Sequence, residues 1–177
     1  DPYEGRDPRL KMTVAVNGEV FGKGVGGSDY VVESFAGGLD GIGAKEGATT
    51  TGYYLRKMVN PDFDLASAAG AKRSFIIMRF AEVLLNYAEA MNEAYGPDAK
   101  PSINGTAAMY SATEAVNLVR QRAGMPNFPT GMSKNDFRAK LRNERRIELA
   151  FEEHRFFDVR RWEIAETTEN ADLMGMR

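Results

Sequence analysis

Two glutamates set in an apolar helical stripe constrain this chain more than any other feature. They lie in Ser133 to Trp162, SKNDFRAKLRNERRIELAFEEHRFFDVRRW. At ~100° per residue, Phe137, Leu141, Glu144, Glu148 and Phe151 fall within roughly 80° of arc. A carboxylate facing a core must lose its charge or find a cation, because an unpaired buried charge costs several kcal/mol. The same stretch carries Arg138, Arg142, Arg145, Arg146, Arg155, Arg160 and Arg161. Arg142, Arg145 and Arg146 flank the stripe and read as facing water. Arg160 and Arg161, on the following helix, are the candidates to turn back onto it. The expectation is therefore that Glu144 and Glu148 point inward, each neutralised by an arginine of another element. Ser133 and Asp136 form a plausible cap at the start of this helix.

Chemistry is the competing reading of the same pair. Two glutamates one helical turn apart are a possible acid/base pair or part of a metal site. Glycosidase carboxylates, however, flank a scissile bond about 5–9.5 Å apart and usually come from separate elements. A metal would want more ligands than two carboxylates crowded by guanidinium groups. The structural ion-pair reading is the stronger one. His154, the only histidine, has no serine, cysteine or second histidine at motif spacing and reads as a capping or packing residue.

The bulk properties set outer bounds. The chain has 177 residues, enough for one domain with a real core. Its net charge of −2 gives no electrostatic signal for nucleic acid. The absence of cysteine excludes disulfides and thiolate chemistry. No apolar run reaches the ~18 residues of a membrane helix. The chain opens Asp1-Pro2-Tyr3 with no initiator methionine, and reads as a segment of something longer.

Residues 1–78 read as strands and loops, and 79–166 as helices. Leu10, Met12, Val14 and Val16 alternate as in a half-buried strand. Asn17-Gly18 then marks a hairpin, with Glu19 to Phe21 starting the return. Gly22 to Gly52 is a long glycine-rich loop. It contains Gly22-Lys23-Gly24-Val25-Gly26-Gly27, a G-x-G-x-x-G by letter, but no amphipathic helix follows to make it a nucleotide site. Tyr30 and Phe35 are its aromatics, weak ligand-stacking candidates beside the reading that they pin the loop. Tyr53 to Val59 reads as a strand ended by Asn60-Pro61-Asp62, and Phe75 to Met78 as a short strand or a lead into a helix. The first helix spans Arg79 to Tyr95. Phe80, Val83, Leu84, Tyr87, Ala88, Met91, Ala94 and Tyr95 share its apolar face, and Glu82, Glu89 and Glu93 form a solvated acidic row. The alternative for that row is a surface for an arginine-bearing neighbour. The second helix runs from about Ala107 or Ser111 to Ala123 with a small-residue face. The third runs from Ser133 to about Glu152. The fourth, His154 to Glu166, is expected to be buried on more than one face, with Trp162 in the core. Antiparallel pairs with small-residue contacts suggest tetratricopeptide-type packing, although no clean 34-residue repeat is visible.

Three stretches carry a family resemblance: Arg79 to Ala90 (RFAEVLLNYAEA), Ala115 to Pro126 (AVNLVRQRAGMP) and Arg142 to Trp162 (RNERRIELAFEEHRFFDVRRW). In this order they resemble the C-terminal region of the SusD/RagB family, and Asp7-Pro8-Arg9-Leu10 resembles the start of that region. One departure is Glu153, where the family often has glycine before histidine. The resemblance implies a mainly α fold of tetratricopeptide-like helix pairs, with a few short strands and long loops in the N-terminal half. It implies a single segment, 1–177, from a protein about three times as long. It further implies a nutrient-binding lipoprotein on the outer membrane of Bacteroidetes, lipid-anchored outside this segment. Such a protein binds an oligosaccharide or peptide and works with a SusC-type TonB-dependent transporter. It would be no enzyme and would carry no cofactor, no metal and no nucleic acid. The matching motifs are scaffold motifs, so the ligand residues stay unknown. The alternatives are a tetratricopeptide-like protein–protein scaffold and a glycoside hydrolase using Glu144 or Glu148.

Overall fold

The computed structural model describes residues 2–60 and 76–170. They fall into two compact units, one made of residues up to 9 together with 76–162, the other of 10–60 with 163–170. The sequence expectations for Phe75, for Pro61-Asp62 and for the chain end from Ala171 lie outside the described residues.

The first unit is helical. Helix α2 (Phe80–Tyr95) packs against α3 (Ala112–Arg122) and α4 (Lys134–Glu148). Its core holds Leu85, Ala88 and Met91 from α2 and Ala112, Ala115, Val116 and Val119 from α3. Phe128, Phe137, Leu141 and Leu149 complete it. Ala88, Ala112 and Ala115 are fully buried, and their small side chains let α2 and α3 approach closely. Phe128 meets Phe137 edge to face at 5.9 Å. Asn117 holds Phe128 in place as a strand partner would, donating to its carbonyl at 3.1 Å and accepting its N–H at 2.7 Å.

Local chemistry fixes the helix ends. Ser111 and Glu114 close a capping box on α3, Glu114 N–H to Ser111 Oγ at 3.1 Å and Ser111 N–H to Glu114 Oε2 at 2.7 Å. That box settles the start of α3, because Thr106–Ala107 is a strand, β6, paired with β5 (Ser102–Ile103). Gly124 (φ 71°) ends α3 with the Schellman pair Gly124 N–H to Gln121 O and Met125 N–H to Arg120 O. Ser133 caps α4 by accepting from Asp136 N–H at 3.1 Å.

Four sequence expectations about the helices change. The buried face of α2 is Ala81, Glu82, Leu84, Leu85, Ala88, Met91 and Asn92, about a quarter turn from the expected arc. Phe80, Val83 and Tyr95 stay exposed. The acidic row of α2 is solvated only at Glu93: Glu82 is buried beside His154 Nε2 at 3.5 Å, Glu89 is half-buried, and Glu89 and Glu93 bind arginines of other elements, as the alternative reading of the row expects. Helix α4 stops at Glu148, and α5 (His154–Arg161) stops before Glu163, whose φ of 55° cannot continue a helix. A separate turn, α6 (Ala165–Thr168), follows. Helix α5 buries only Asp158 and Val159, leaving Phe156 and Phe157 exposed; Trp162 at its end is buried.

The second unit contains short pairs of strands. The period-two reading of Leu10 to Val16 fails at its first half, because Arg9–Thr13 is a helical turn, α1, and only Val14–Ala15 is strand, β1. The cause is Asp7-Pro8. Asp7 accepts the Arg9 N–H at 2.9 Å, and proline suits a first helical position. Asn17-Gly18 does turn the chain, closed by Glu19 N–H to Val16 O. The return strand β2 (Val20–Lys23) nevertheless pairs with β3 (Asp29–Val31), while β1 pairs with β4 (Tyr54–Leu55). Residues 76–79 form no strand.

The α4–α5 connection predicts a measurable gain. Glu153 sits at φ 66°, a left-handed conformation that costs a side-chain-bearing residue about 1–2 kcal/mol. Its side chain is exposed. Glu153→Gly should therefore raise the unfolding free energy by about 1 kcal/mol in urea denaturation, after glycine's larger unfolded-state entropy is subtracted.

Candidate functional site

The inward carboxylates of α4 lie at the centre of an ion network in the first unit. Glu144 and Glu148 are 2% and 3% exposed. Glu144 accepts from Arg9 Nη1 at 2.6 Å on one oxygen and from Arg120 Nη1 on the other. Glu148 accepts from Arg9 Nη1 at 2.9 Å, Arg79 Nη1 at 2.6 Å and Arg122 Nη2 at 2.6 Å. Arg79 continues to Glu152, with its Nε at 2.7 Å and Nη2 at 2.8 Å, and to the Glu148 carbonyl at 2.7 Å. Arg9, itself buried, binds Asp7 through Nε at 3.0 Å and Nη2 at 2.7 Å. Two carboxylates thus join α4 to α3, to the start of α2 and to the Asp7–Arg9 segment. Burial works against the Arg9 charge, but the bonds from Asp7, Glu144 and Glu148 outweigh it and raise its pKa. Arg9 in turn holds the Asp7 carboxyl below its ordinary value.

The partners differ from those expected. Arg161 binds Glu89, at 2.5 and 2.8 Å, and Asp158 at 2.8 Å. Arg160 donates to the Phe156 carbonyl at 2.7 Å and lies 3.4 Å over the Phe156 ring. Neither is a partner of Glu144 or Glu148: Arg161 pairs with Glu89 of α2 and with Asp158 of its own helix, and Arg160 turns to Phe156. The arginines that pair with Glu144 and Glu148, namely Arg9, Arg79, Arg120 and Arg122, lie outside Ser133 to Trp162. Arg145 was expected in water; it is buried, with Nε on Asp158 at 2.7 Å and Nη1 on Asn86 at 2.7 Å. Trp162 donates its indole N–H to Glu89 at 2.7 Å. The guanidiniums of Arg142 and Arg161 stand 4.9 and 4.6 Å from its ring centre. Glu93 binds Arg138 in a two-toothed pair at 2.6 Å per bond.

This geometry leaves the glutamate pair little chemistry beyond cohesion. All four carboxylate oxygens of Glu144 and Glu148 accept from guanidiniums, and neither side chain opens to solvent. Proton transfer needs a group within hydrogen-bond reach of a substrate. Among the described residues no three His, Cys, Asp or Glu side chains gather as a metal would need.

The glycine-rich loop is organised by Asp40. This residue is 3% exposed and accepts from Tyr30 Oη at 2.5 Å, Lys45 Nζ at 2.5 Å and Glu33 N–H at 3.0 Å. Its carbonyl accepts from Tyr54 Oη at 2.8 Å. Burial raises the Asp40 pKa, but the Lys45, Tyr30 and Glu33 bonds more than offset it, so the carboxyl stays below its ordinary value. Burial and Asp40 push the Tyr30 phenol up. Gly38 and Gly41 let the loop coil on itself: a Cβ at either would stand 2.3 Å from Glu33 O or 2.5 Å from Phe35 O. The letters G-x-G-x-x-G run from the end of β2 through a 3-10 turn, Val25–Gly27, and the next element is the strand β3, with no helix to receive a phosphate. Of the two candidate aromatics, Tyr30 is bound at its hydroxyl and lines a cavity of about 250 Å³ with Phe21, Val32, Asp40, Lys45 and Tyr54. Phe35 is 53% exposed.

Two measurements test the network. Glu144→Gln leaves Arg9 and Arg120 short of a counter-charge and should destabilise the fold by about 3–5 kcal/mol; a cycle pairing it with Arg9→Met should show coupling above about 1 kcal/mol. Independent effects would mean that the pair does not cooperate. The acid limb gives the second. Asp7, Glu89 and Glu93 have folded pKa values lowered from 3.8, 4.5 and 4.5. For Glu89 burial works in the opposite sense and is outweighed by Arg161 and Trp162. Folded values below unfolded ones give stability that is complete above the unfolded values and lost as pH falls through the lowered ones. Unfolding free energy should therefore drop below about pH 4.5, and Glu89→Gln should make that drop shallower.

Comparison with known proteins places this architecture. The profile described as the SusD family matches residues 1–175. SusD-like protein P2 of Formosa agariphila is 35% identical over 98 residues, 51% of this chain and 17% of that protein. SusD-like protein P25 of the same organism is 33% identical over 118 residues, 63% and 19% of the two chains. A SusD-like protein from Bacteroides fragilis superposes with a TM-score of 0.73 at 34% identity, over 92% of this chain and 29% of its own. A SusD-like carbohydrate binding protein from Bacteroides fragilis gives 0.68 at 30% identity, over 93% and 30%. This chain thus spans less than a third of each relative, and its mainly α fold shares their tetratricopeptide-like packing. It belongs to the SusD family.

Proposed function

We propose that the protein is a non-catalytic binding component of an outer-membrane nutrient uptake system, taking an oligosaccharide or peptide and working with a SusC-type TonB-dependent transporter. The observation that carries this reading is the family match across residues 1–175, together with structural similarity to a relative described as carbohydrate binding. The internal engagement of Glu144 and Glu148 supports a binder over a hydrolase. No described helix is long and apolar enough to cross a membrane, and attachment through a lipid anchor outside this segment is part of the proposal. Of the two aromatics of the glycine-rich loop, Phe35 is the open one to meet a sugar face, since the Tyr30 hydroxyl is committed to Asp40.

A protein–protein scaffold is the second reading. The open apolar side chains favour it: Phe80 and Val83 on α2, then Phe151, Phe156 and Phe157 at the α4–α5 end. On the first reading these side chains pack against the rest of a family-length chain.

Calorimetric titration with a panel of bacterial and plant oligosaccharides separates the two readings. Saturable binding without turnover is expected, and Phe35→Ala should weaken it by about three- to tenfold, the value of one aromatic contact. Turnover of any glycan that is lost in Glu144→Gln would instead make the protein a hydrolase. Binding of a partner protein with no response to any glycan or peptide would favour the scaffold.

A further inference from the structure

We propose that the Asn104–Gly105 hairpin is a site of spontaneous covalent modification, at which Asn104 passes through a cyclic imide to aspartate and isoaspartate, while folding shields the chain's other asparagine–glycine pair, Asn17–Gly18. In the reaction the Gly105 backbone nitrogen gives up its proton to a base and attacks the Asn104 side-chain carbonyl carbon. A new C–N bond forms, and the amide nitrogen takes up a proton and leaves as ammonia. Water then adds to one of the two imide carbonyls and opens the ring. One opening yields aspartate; the other yields isoaspartate, with the main chain running through the former side chain.

The two pairs share a sequence and differ in their surroundings. Asn104 and Gly105 are exposed, at φ 51° and 80°, at the tip of β5 and β6. That hairpin has two ladder pairs, Ser102 with Ala107 and Ile103 with Thr106, and one further bond from the Ala108 N–H to the Pro101 carbonyl at 2.9 Å. Exposure does not separate the pairs, since Asn17 and Gly18 are exposed too and neither glycine has anything within 4 Å of the space beside its Cα; hydrogen bonding does. Imide closure needs the asparagine to leave its left-handed turn, and a two-stranded ladder of this length opens readily. At the other pair both reacting groups are occupied. The Asn17 side-chain oxygen accepts the Ser34 N–H at 3.0 Å, which fixes the rotamer. The Gly18 N–H donates to the Val32 carbonyl at 2.8 Å, so the attacking nitrogen cannot swing to the amide carbon without breaking that bond. Modification at Asn104 adds a carboxylate and, in the isoaspartyl form, an extra main-chain carbon. The longer chain no longer matches the register of Ile103 with Thr106.

Storage of the folded protein in mildly alkaline buffer, followed by tryptic peptide mapping, tests this. Asn17 falls in the fragment between Lys11 and Lys23, and Asn104 in that between Arg79 and Arg120, since Lys100 precedes Pro101. Asn104 should lose its amide at least about tenfold faster than Asn17 in the folded protein, and the two rates should converge in urea once local protection is gone. In the urea-unfolded chain, Gly105→Val should slow Asn104 alone, which would identify the Gly105 nitrogen as the nucleophile. Equal rates in the folded protein, a faster Asn17, or an unchanged Asn104 in a sample whose urea control reacts would each overturn the proposal.

Discussion

The first unit depends on one constraint: α4 carries Glu144 and Glu148 on the side that packs. Desolvating an ionised carboxylate costs several kcal/mol, and attraction to a cation offsets it only when the geometry is good and the remaining lone pairs are used. Arginine meets that demand better than lysine, because its planar fork supplies several donors in fixed directions. Arg9 shows the value of the fork, since one Nη1 lies between Glu144 and Glu148 while Nε and Nη2 turn back to Asp7. Arg79 repeats it, spanning Glu148 and Glu152. A buried network of this kind adds little net stability over well-packed apolar groups of the same volume, while removal of one partner is costly because it leaves a buried charge unpaired.

The pairing spans long sequence distances. Arg9 and Glu148 are 139 positions apart, and Arg79, Arg120 and Arg122 come from two further places. Each guanidinium reaches its carboxylate only when its own element is docked, so local order and tertiary order arrive together. The caps serve the same end. The Schellman close at Gly124 ends α3 just beyond Arg120 and Arg122, and the Arg120 Nε anchors on the Pro126 carbonyl at 2.6 Å while its Nη1 serves Glu144. Helix termination and ion pairing thus share residues.

What the sequence made legible follows from the range of the interactions. The inward direction of Glu144 and Glu148 was readable because helical periodicity is local. The start of α4 was readable from Ser133, because caps act within three residues, whereas that of α3 stood open between Ala107 and Ser111 until the Ser111–Glu114 box decided it. The cations were not readable, since a stretch of thirty residues supplied nearer arginines and nothing local favours Arg9 over Arg161. The face of α2 was misjudged because the helix has two apolar sides: Leu85, Ala88 and Met91 pack in this unit, while Phe80, Val83 and Tyr95 stay open. A pattern read from sequence averages the two. Glu82 and Arg145 were assigned to water on the ordinary ground that charges are exposed, and each is instead buried against a partner from another element. The turn of α1 was masked by alternating apolar letters, although Asp7-Pro8 carried the contrary signal.

The loop and the helices solve the same problem in opposite ways. In the helical unit a buried acid is held by arginines from distant elements; in the loop Asp40 is held by Tyr30, Glu33 and Lys45, all within ten positions of it. The local solution draws all its donors from the loop itself and from β3, so a short run of sequence sets it. Gly38 and Gly41 constrain the same run. Their Cα atoms pass so close to the Glu33 and Phe35 carbonyls that any side chain would force the coil open. Change in this loop is therefore confined to positions such as Phe35 and Leu39, whose side chains point into solvent.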